Sequence, residues 1–304
     1  MMSNKKSIGH ITAIVTVFIW GTTFISTKIL LNSFRPIEIL FFRFILGLIT
    51  LTAVYPKRLK GTTVKQELTF AAAGFCGITL YYLLENVALT YTLASNVGII
   101  TSTAPLFTAI LSCLISKGKE RLSVNFFAGF AAAMIGLFLI SFGNSAFEVN
   151  PAGDILALGA AFVWAVYSIL TKKIGGFGYN TIQTTRRVFM YGIVLMIPAL
   201  FMFDFRFDFA RFADAGNLPN MLFLGLGASA LCFVTWNMSV KRLGAVRTSI
   251  YIYIVPVITV TASAIVLKEK ITFYTVLGTV LTLSGLLISE INFKKRSEQN
   301  ERTK

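Results

Sequence analysis

Charge is scarce in this 304-residue sequence: Asp, Glu, Lys and Arg together make up 13%, where a soluble domain carries about 25%. That shortage excludes an ordinary water-soluble enzyme. Histidine is nearly absent. His10 is the single one, so no histidine-based metal cluster can form. The three cysteines, Cys76, Cys113 and Cys232, lie in apolar runs with neither metal-ligand spacing nor an exposed pair suited to a disulfide. They read as small core residues. There is no P-loop, zincin helix or EF-hand loop. Gly225, Gly227 and Ala230 formally match a dinucleotide fingerprint, but no strand precedes them and they sit inside an apolar run. No cofactor, metal or catalytic residue is expected.

What the chain has in abundance is apolar surface. Hydrophobic residues make up 55%, with 28 Phe, and the mean hydropathy is +0.73. Such a composition also excludes disorder. A membrane span needs about 20 residues. Apolar runs separated by short polar breaks mark ten spans, over 8–30, 36–55, 67–90, 93–116, 123–142, 152–172, 182–203, 218–240, 246–267 and 272–291. The first follows Lys5 and Lys6 as a signal peptide would, but it is too long for one and lacks a small-residue cleavage site. It is read as a retained span. Lipid gives backbone groups no partner, so every span must be helical. The runs are continuous, unlike the short alternating segments of a β-barrel. The fold class expected is an all-α polytopic membrane protein.

The net charge is +15 and the pI about 9.9. With the N-terminus inside, nineteen Lys and Arg fall in inner loops and tails, and five fall outside. The remaining four, Lys28, Arg43, Arg186 and Arg187, lie within spans. This asymmetry obeys the positive-inside rule. It puts both termini in the cytoplasm and explains the basic balance without nucleic acid. The expected surroundings are the lipid bilayer of the cell membrane, and the expected partner is a small-molecule substrate.

The two halves resemble each other. At an offset of 144, Gly9, Trp20, Thr27, Lys28 and Arg43 meet Gly153, Trp164, Thr171, Lys172 and Arg187. At 151, Asn86, Ala94 and Pro105 meet Asn237, Ala245 and Pro256. At 149, Glu120, Gly129 and Gly136 meet Glu269, Gly278 and Gly285. The domain reading is therefore a first repeat over 8–142, a second over 152–291, and a basic cytoplasmic tail over 292–304. Five spans per repeat is an odd number, so the second copy would insert upside down around a central cavity, the plan of secondary transporters.

Glu85, Asn86, Ala88, Leu89 and Tyr91, then Ala94 and Ser95, Pro105 and Phe107, and Glu120, Leu122 and Gly129, form a run that resembles the EamA pattern of the drug/metabolite transporter superfamily. Trp20, Gly21, Lys28, Pro36 and Arg43 are similar to its start, and Trp164, Asn237, Pro256, Glu269 and Gly278 repeat it more loosely. The resemblance implies a ten-span permease, many relatives of which export amino acids, other metabolites or drugs. The halves also depart from each other: Glu85 faces Trp236 in the alignment of repeats, Tyr82 faces Phe233, and Gly21 faces Ala165. A strictly two-fold symmetric site is not expected.

Glu85 is the sharpest signal, because a carboxylate within a span costs about 2.5–3.5 kcal/mol on insertion scales. Tyr81, Tyr82 and Leu89 share its helical face. Either it binds a cationic group or a coupling proton in a cavity, or it pairs structurally with Arg43 or Lys28. Arg43 and Arg187 either contact a substrate carboxylate or satisfy helix ends and carbonyls. Trp20, Trp164 and Trp236 line a cavity or simply pack, and Phe24 shares the face of Trp20. Pro105 and Pro256 kink their helices, and either expose backbone to a substrate or are static. Asn86 and Asn237 either bridge helices or touch substrate. The heptad spacing of Gly129 to Gly136, and of Gly278 to Gly285, permits close helix approach, with a homodimer contact as one place for it. Glu120 and Glu269, beside lysines, tune span ends.

The functional expectation is a gradient-driven transporter of small organic solutes, an exporter of amino acids or related metabolites working by alternating access. The alternative within that class is multidrug or organic-cation efflux. The rivals outside it are a membrane-embedded sensor or scaffold, or a lipid-modifying enzyme. The charge count is directly testable. A reporter active only in the cytoplasm, fused after Lys304, is expected to be active, and fused within 204–214 it is expected to be silent. The reverse pattern would overturn the orientation.

Overall fold

The computed structural model describes residues 2–91, 94–116, 123–143, 150–266 and 271–302. Helices account for nearly all of them, and no strand occurs among the described residues. In chain order they are α1 (Met2–Leu30), α2 (Pro36–Val54), α3 (Val64–Gly74), a π-helical segment Phe75–Leu80, α4 (Tyr81–Tyr91), α5 (Ala94–Thr101), α6 (Ala104–Ile115), α7 (Val124–Gly143), α8 (Pro151–Gly175) and α9 (Thr181–Met202). Next come a 3-10 turn Phe209–Ala213, α10 (Asn217–Leu222), a second π-helical segment Phe223–Leu231, α11 (Cys232–Leu243), α12 (Ala245–Ser249), a second 3-10 turn Ile250–Tyr253, α13 (Ile254–Val266) and α14 (Phe273–Arg302). Glu120 and Glu269, and the side chains of Phe24, Lys28 and Leu89, lie outside the described residues.

Six helices are long and apolar enough to cross a membrane: Lys6–Thr27, Pro36–Val54, Val64–Ala88, Pro151–Gly175, Thr181–Met202 and Asn217–Leu243. Four shorter apolar helices accompany them: Ala104–Ile115, Val124–Ile140, Ala245–Thr259 and Phe273–Ser289. The chain is a polytopic membrane protein. Local chemistry starts the helices where polar residues allow. Asn150 and Asn180 accept from the backbone N–H of Gly153 and Ile182, and Thr63 and Gln66 form a reciprocal cap.

Two expected continuous spans are interrupted. Helix α5 gives way to two turn residues before α6, and α12 gives way to the 3-10 turn before α13. The cause is Pro105 and Pro256. A proline ring clashes with the carbonyl four residues earlier, which here belongs to Thr101 and Ile252. So Pro105 opens α6 instead of kinking the middle of one helix. The last helix runs on to Arg302, past the expected end of the span, through a tail rich in good helix formers.

The packing repeats between halves. Helix α1 packs on α11 and α13, while α8 packs on α3, α4, α5 and α6. Helix α2 lies on the second π segment, and α9 lies on the first. Helix α2 also meets α9, and α7 meets α14. This last contact uses the heptad glycines. A Cβ at Gly129 would sit 2.4 Å from the Gly285 carbonyl, and one at Gly136 would sit 2.5 Å from that of Gly278. These glycines therefore serve an intrachain contact, which leaves the homodimer expectation without their support.

Outside the helices, the segment after α9 folds over the start of α2. Glu38 has no exposed surface and accepts from Arg211 Nη1 at 2.7 Å and from the backbone N–H of Arg35 and Arg206. Arg211 lies 4.6 Å over the Phe34 ring. Asp204 takes a left-handed turn, φ 49°, and pairs with Arg35. The hydrogen bond from Arg35 holds the Asp204 carboxyl below its ordinary range. A depressed value means the tie is fully formed at neutral pH and is lost as pH falls through the folded-state value.

Because the obstructing atoms at Gly129 and Gly285 are backbone, neither helix can yield locally. Gly129→Leu or Gly285→Val is expected to destabilise the protein by at least the roughly 1–3 kcal/mol of ordinary overpacking. Melting of the detergent-solubilised protein measures it, and a native-like melt would contradict the close approach.

Candidate functional site

The three tryptophans meet at the centre. Trp20 of α1 lies 5.3 Å from Trp164 of α8 and 5.1 Å from Trp236 of α11, and the latter two are 5.9 Å apart. Phe233 packs on Trp20 and Trp164, Tyr167 lies 5.1 Å from Trp164, and Tyr81 lies 4.8 Å from it. Tyr81 leads to Tyr82, and Tyr82 to Phe44. The result is a continuous wall of rings drawn from α1, α2, α4, α8 and α11.

Two charges are set into this wall. Arg43 is 6% exposed, and its guanidinium stacks 4.8 Å over Tyr82 and 5.3 Å over Phe44. Its Nε donates to Ser229 Oγ at 3.0 Å. Glu85 is 8% exposed and accepts from the Tyr81 hydroxyl at 3.3 Å. Among the described residues no ion pair joins Glu85 to Arg43 or to any other cation. A guanidinium has five donors and a carboxylate about four acceptor positions. Both groups therefore keep most of their bonding capacity for something other than each other.

The second π segment makes this possible. In a π turn the ladder is disturbed and carbonyls are released from it. The Ala228 carbonyl accepts from Trp20 Nε1 at 3.1 Å, and the neighbouring Ser229 holds Arg43. On the far side of the rings, Asn237 accepts from the Tyr167 hydroxyl and donates to Thr185, each at 2.9 Å. A small polar cleft lined by Thr171, Tyr179, Thr181, Thr184, Asn237 and Lys241 begins there. Half-buried Asn86 adjoins Glu85 in the chain.

Of the residues singled out in the sequence, the fold gathers Trp20, Trp164, Trp236, Tyr81, Tyr82, Glu85 and Arg43, with Asn237 at the edge. It does not gather Arg187. That arginine donates to the Leu59 carbonyl and lies 3.7 Å from Glu67, at the opposite end of the bundle from the capped start of α2. The two matched arginines therefore do different work, because Ser229 has Ile78 as its counterpart across the repeat. Pro105 and Pro256 lie in the first turns of α6 and α13, just after the helix interruptions. Ser229, Tyr167, Phe44 and Phe233 escaped the sequence reading. The small-residue run 225–230 was the available signal for Ser229, since small residues in a span mark close helix approach.

An all-helical membrane bundle with an acid and a base set in an aromatic wall, no ion pair joining them, suits a membrane transporter. The EamA-like transporter family model matches this chain twice, over residues 7–142 and 151–290. The chain belongs to that family. An uncharacterized transporter of Archaeoglobus fulgidus is 28% identical over 94% of this chain and 98% of its own. The uncharacterized transporter YyaM of Bacillus subtilis is 26% identical, with 88% of each chain covered. A solved crystal structure superposes with a TM-score of 0.75 at 20% identity, covering 97% of this chain and 99% of that one.

Ser229 is fully buried and its partner is charged, so its loss strands an Arg43 donor. Ser229→Ala is expected to cost about 1.5–3 kcal/mol, the range for hydrogen bonds to charged groups. Thermal unfolding in detergent checks it, and an unchanged melt would mean Arg43 is held by its rings alone.

Proposed function

We propose that the protein is a ten-span secondary transporter that exports a small organic zwitterion, such as an amino acid or related metabolite, by alternating access. The observation that carries this reading is the separation of Arg43 and Glu85 in one aromatic wall. A zwitterion brings a carboxylate for Arg43 and an ammonium for Glu85, and the indole and phenol rings cover its apolar body. The preference for amino acids and for export rests on family likeness. The driving force is a gradient of the solute or of protons, with Glu85 as the proton carrier. Multidrug or organic-cation efflux is the second reading. The tryptophan-rich wall and Glu85 favour it, but the cation of Arg43 in the same wall opposes it.

The reading takes the two family matches as inverted five-helix repeats. Three features support that. The long and short apolar helices recur in the same order in each half. The π segments and the proline interruptions recur at an offset near 151. The contacts of α1 and α2 recur as those of α8 and α9. With five spans per repeat, the copies take opposite orientations, and both termini lie on the cytoplasmic side of the cell membrane that holds the protein.

Counterflow in proteoliposomes across a panel of amino acids and metabolites is the test. A transported zwitterion is expected, and Glu85→Gln inserted to the same level is expected to lose its pH-dependent flux. Absence of any transported zwitterion, or native flux by Glu85→Gln at every pH, overturns the proposal.

A further inference from the structure

Helix α1 is tied to the second half by a polar ladder. Thr12 shares a 2.7 Å hydrogen bond with Ser239 of α11, and Thr16 shares one of 2.6 Å with Thr235. His10 is hydrogen-bonded to Tyr251 of the 3-10 turn, and Trp20 donates to the Ala228 carbonyl of the second π segment. The four rungs occupy residues 10 to 20: those at His10, Thr12 and Thr16 lie in the half of α1 nearest its N-terminus, and that at Trp20 lies just past its middle.

The matched half of α8 has none of these rungs. At the offset of 144, His10, Thr12, Thr16 and Trp20 become Asp154, Leu156, Ala160 and Trp164. Their partners Ser239, Thr235, Tyr251 and Ala228 become Ala88, Leu84, Ile100 and Gly77 at the offset of 151. The contact there is apolar, built from Ala88, Val97, Ala157, Leu156 and Ile100. Two polar atoms are left over. Asp154 Oδ1 and Trp164 Nε1 are both buried without a hydrogen-bond partner, and Trp164 is only 4% exposed. The π-segment carbonyl that would match the acceptor of Trp20 belongs to Gly77. The Tyr167 ring lies over that glycine, so close that a Cβ would meet it at 2.3 Å.

We infer that this asymmetry is a conformational lock: the ladder on α1 holds the cytoplasmic seam between α1 and α11 shut at rest, and the rung-free half of α8 is the gate that moves. In the opposite state, Trp164 docks on the Gly77 carbonyl once Tyr167 swings away, while Trp20 leaves Ala228. The inference rests on the inverted-repeat reading. A buried donor left unmade disfavours the present state, so the ladder is what offsets it.

The test is labelling of single cysteines, in a background with Cys76, Cys113 and Cys232 replaced by alanine. One reporter is Gly98→Cys on α5, where a side chain meets nothing within 4 Å. The other is Val246→Cys on α12, buried among Ala109, Phe126 and Tyr253 and five residues before the ladder residue Tyr251. Right-side-out and inside-out vesicles are treated with a membrane-impermeant maleimide. Thr12→Val with Thr16→Val is expected to raise labelling at 246 from inside and lower it at 98 from outside, by roughly threefold per rung. Leu156→Thr with Ala88→Ser installs the missing rung on α8 and is expected to lower labelling at 98. Trp164→Phe keeps a ring in the wall but removes the donor that only the opposite state would use, and is expected to lower labelling at 246. The inference fails if labelling at both sites in the ladder variants and in the installed-rung variant is unchanged from that of the parent protein. It also fails if both variants move labelling in the opposite sense. Labelling needs no transported solute. Counterflow that succeeds alongside unchanged labelling sinks the lock alone, and absent counterflow with the expected labelling sinks only the zwitterion reading.

Discussion

Lipid gives a polar group nothing to bond to, and each feature of this bundle follows from that. Backbone groups close on themselves as helices. Buried hydroxyls turn back on their own helix: Thr16 donates to the Thr12 carbonyl and Thr108 to that of Ala104. Where the ladder is disturbed, the freed groups reappear as contacts between helices. The Ala228 carbonyl takes the indole of Trp20, and Thr79 on the first π segment donates to the Gly192 carbonyl of α9. The irregular turns are thus joints, placed where helices from different halves meet.

The same constraint gives the central charges their meaning. A buried acid and a buried base within one wall could cancel by pairing, and that pairing would be the cheapest outcome. Instead Arg43 is held by Ser229 and two rings, and Glu85 by a tyrosine of its own helix. By contrast the fully buried Glu38 and the half-buried Arg211 do pair, and they serve to fasten the segment after α9 to α2. One molecule therefore contains both arrangements of charge, a closed pair that holds structure and two central charges that no ion pair joins.

Much of this was legible in the residues. Hydropathy marks the helices, and the repeat offsets match Trp20 with Trp164 and Pro105 with Pro256. Glu85 stands out because a carboxylate in an apolar run needs a reason. Arg187 was open between a substrate carboxylate and backbone carbonyls, and it donates to the Leu59 carbonyl, a partner its match to Arg43 does not indicate. The repeat fixes position along a helix, but the partner depends on the facing helix, where Ser229 has been replaced by Ile78. Ser229 itself was hidden in a run of small residues that carries no charge to draw attention. His10 was read only as a missing metal ligand, because its partner Tyr251 is 241 residues away.

The residues alone determined that the chain spans a membrane as helices, that it is built twice over, and which few polar side chains lie within the spans. Those properties follow from local composition and periodicity. Tertiary structure decided which of the polar side chains meet. It separated Glu85 from Arg43, joined Arg43 to Ser229, and gave Trp20 a partner while leaving Trp164 with none. Such outcomes depend on how helices distant in sequence face one another, and a hydrogen bond is made or missed over about an ångström, far finer than any spacing along the chain can specify.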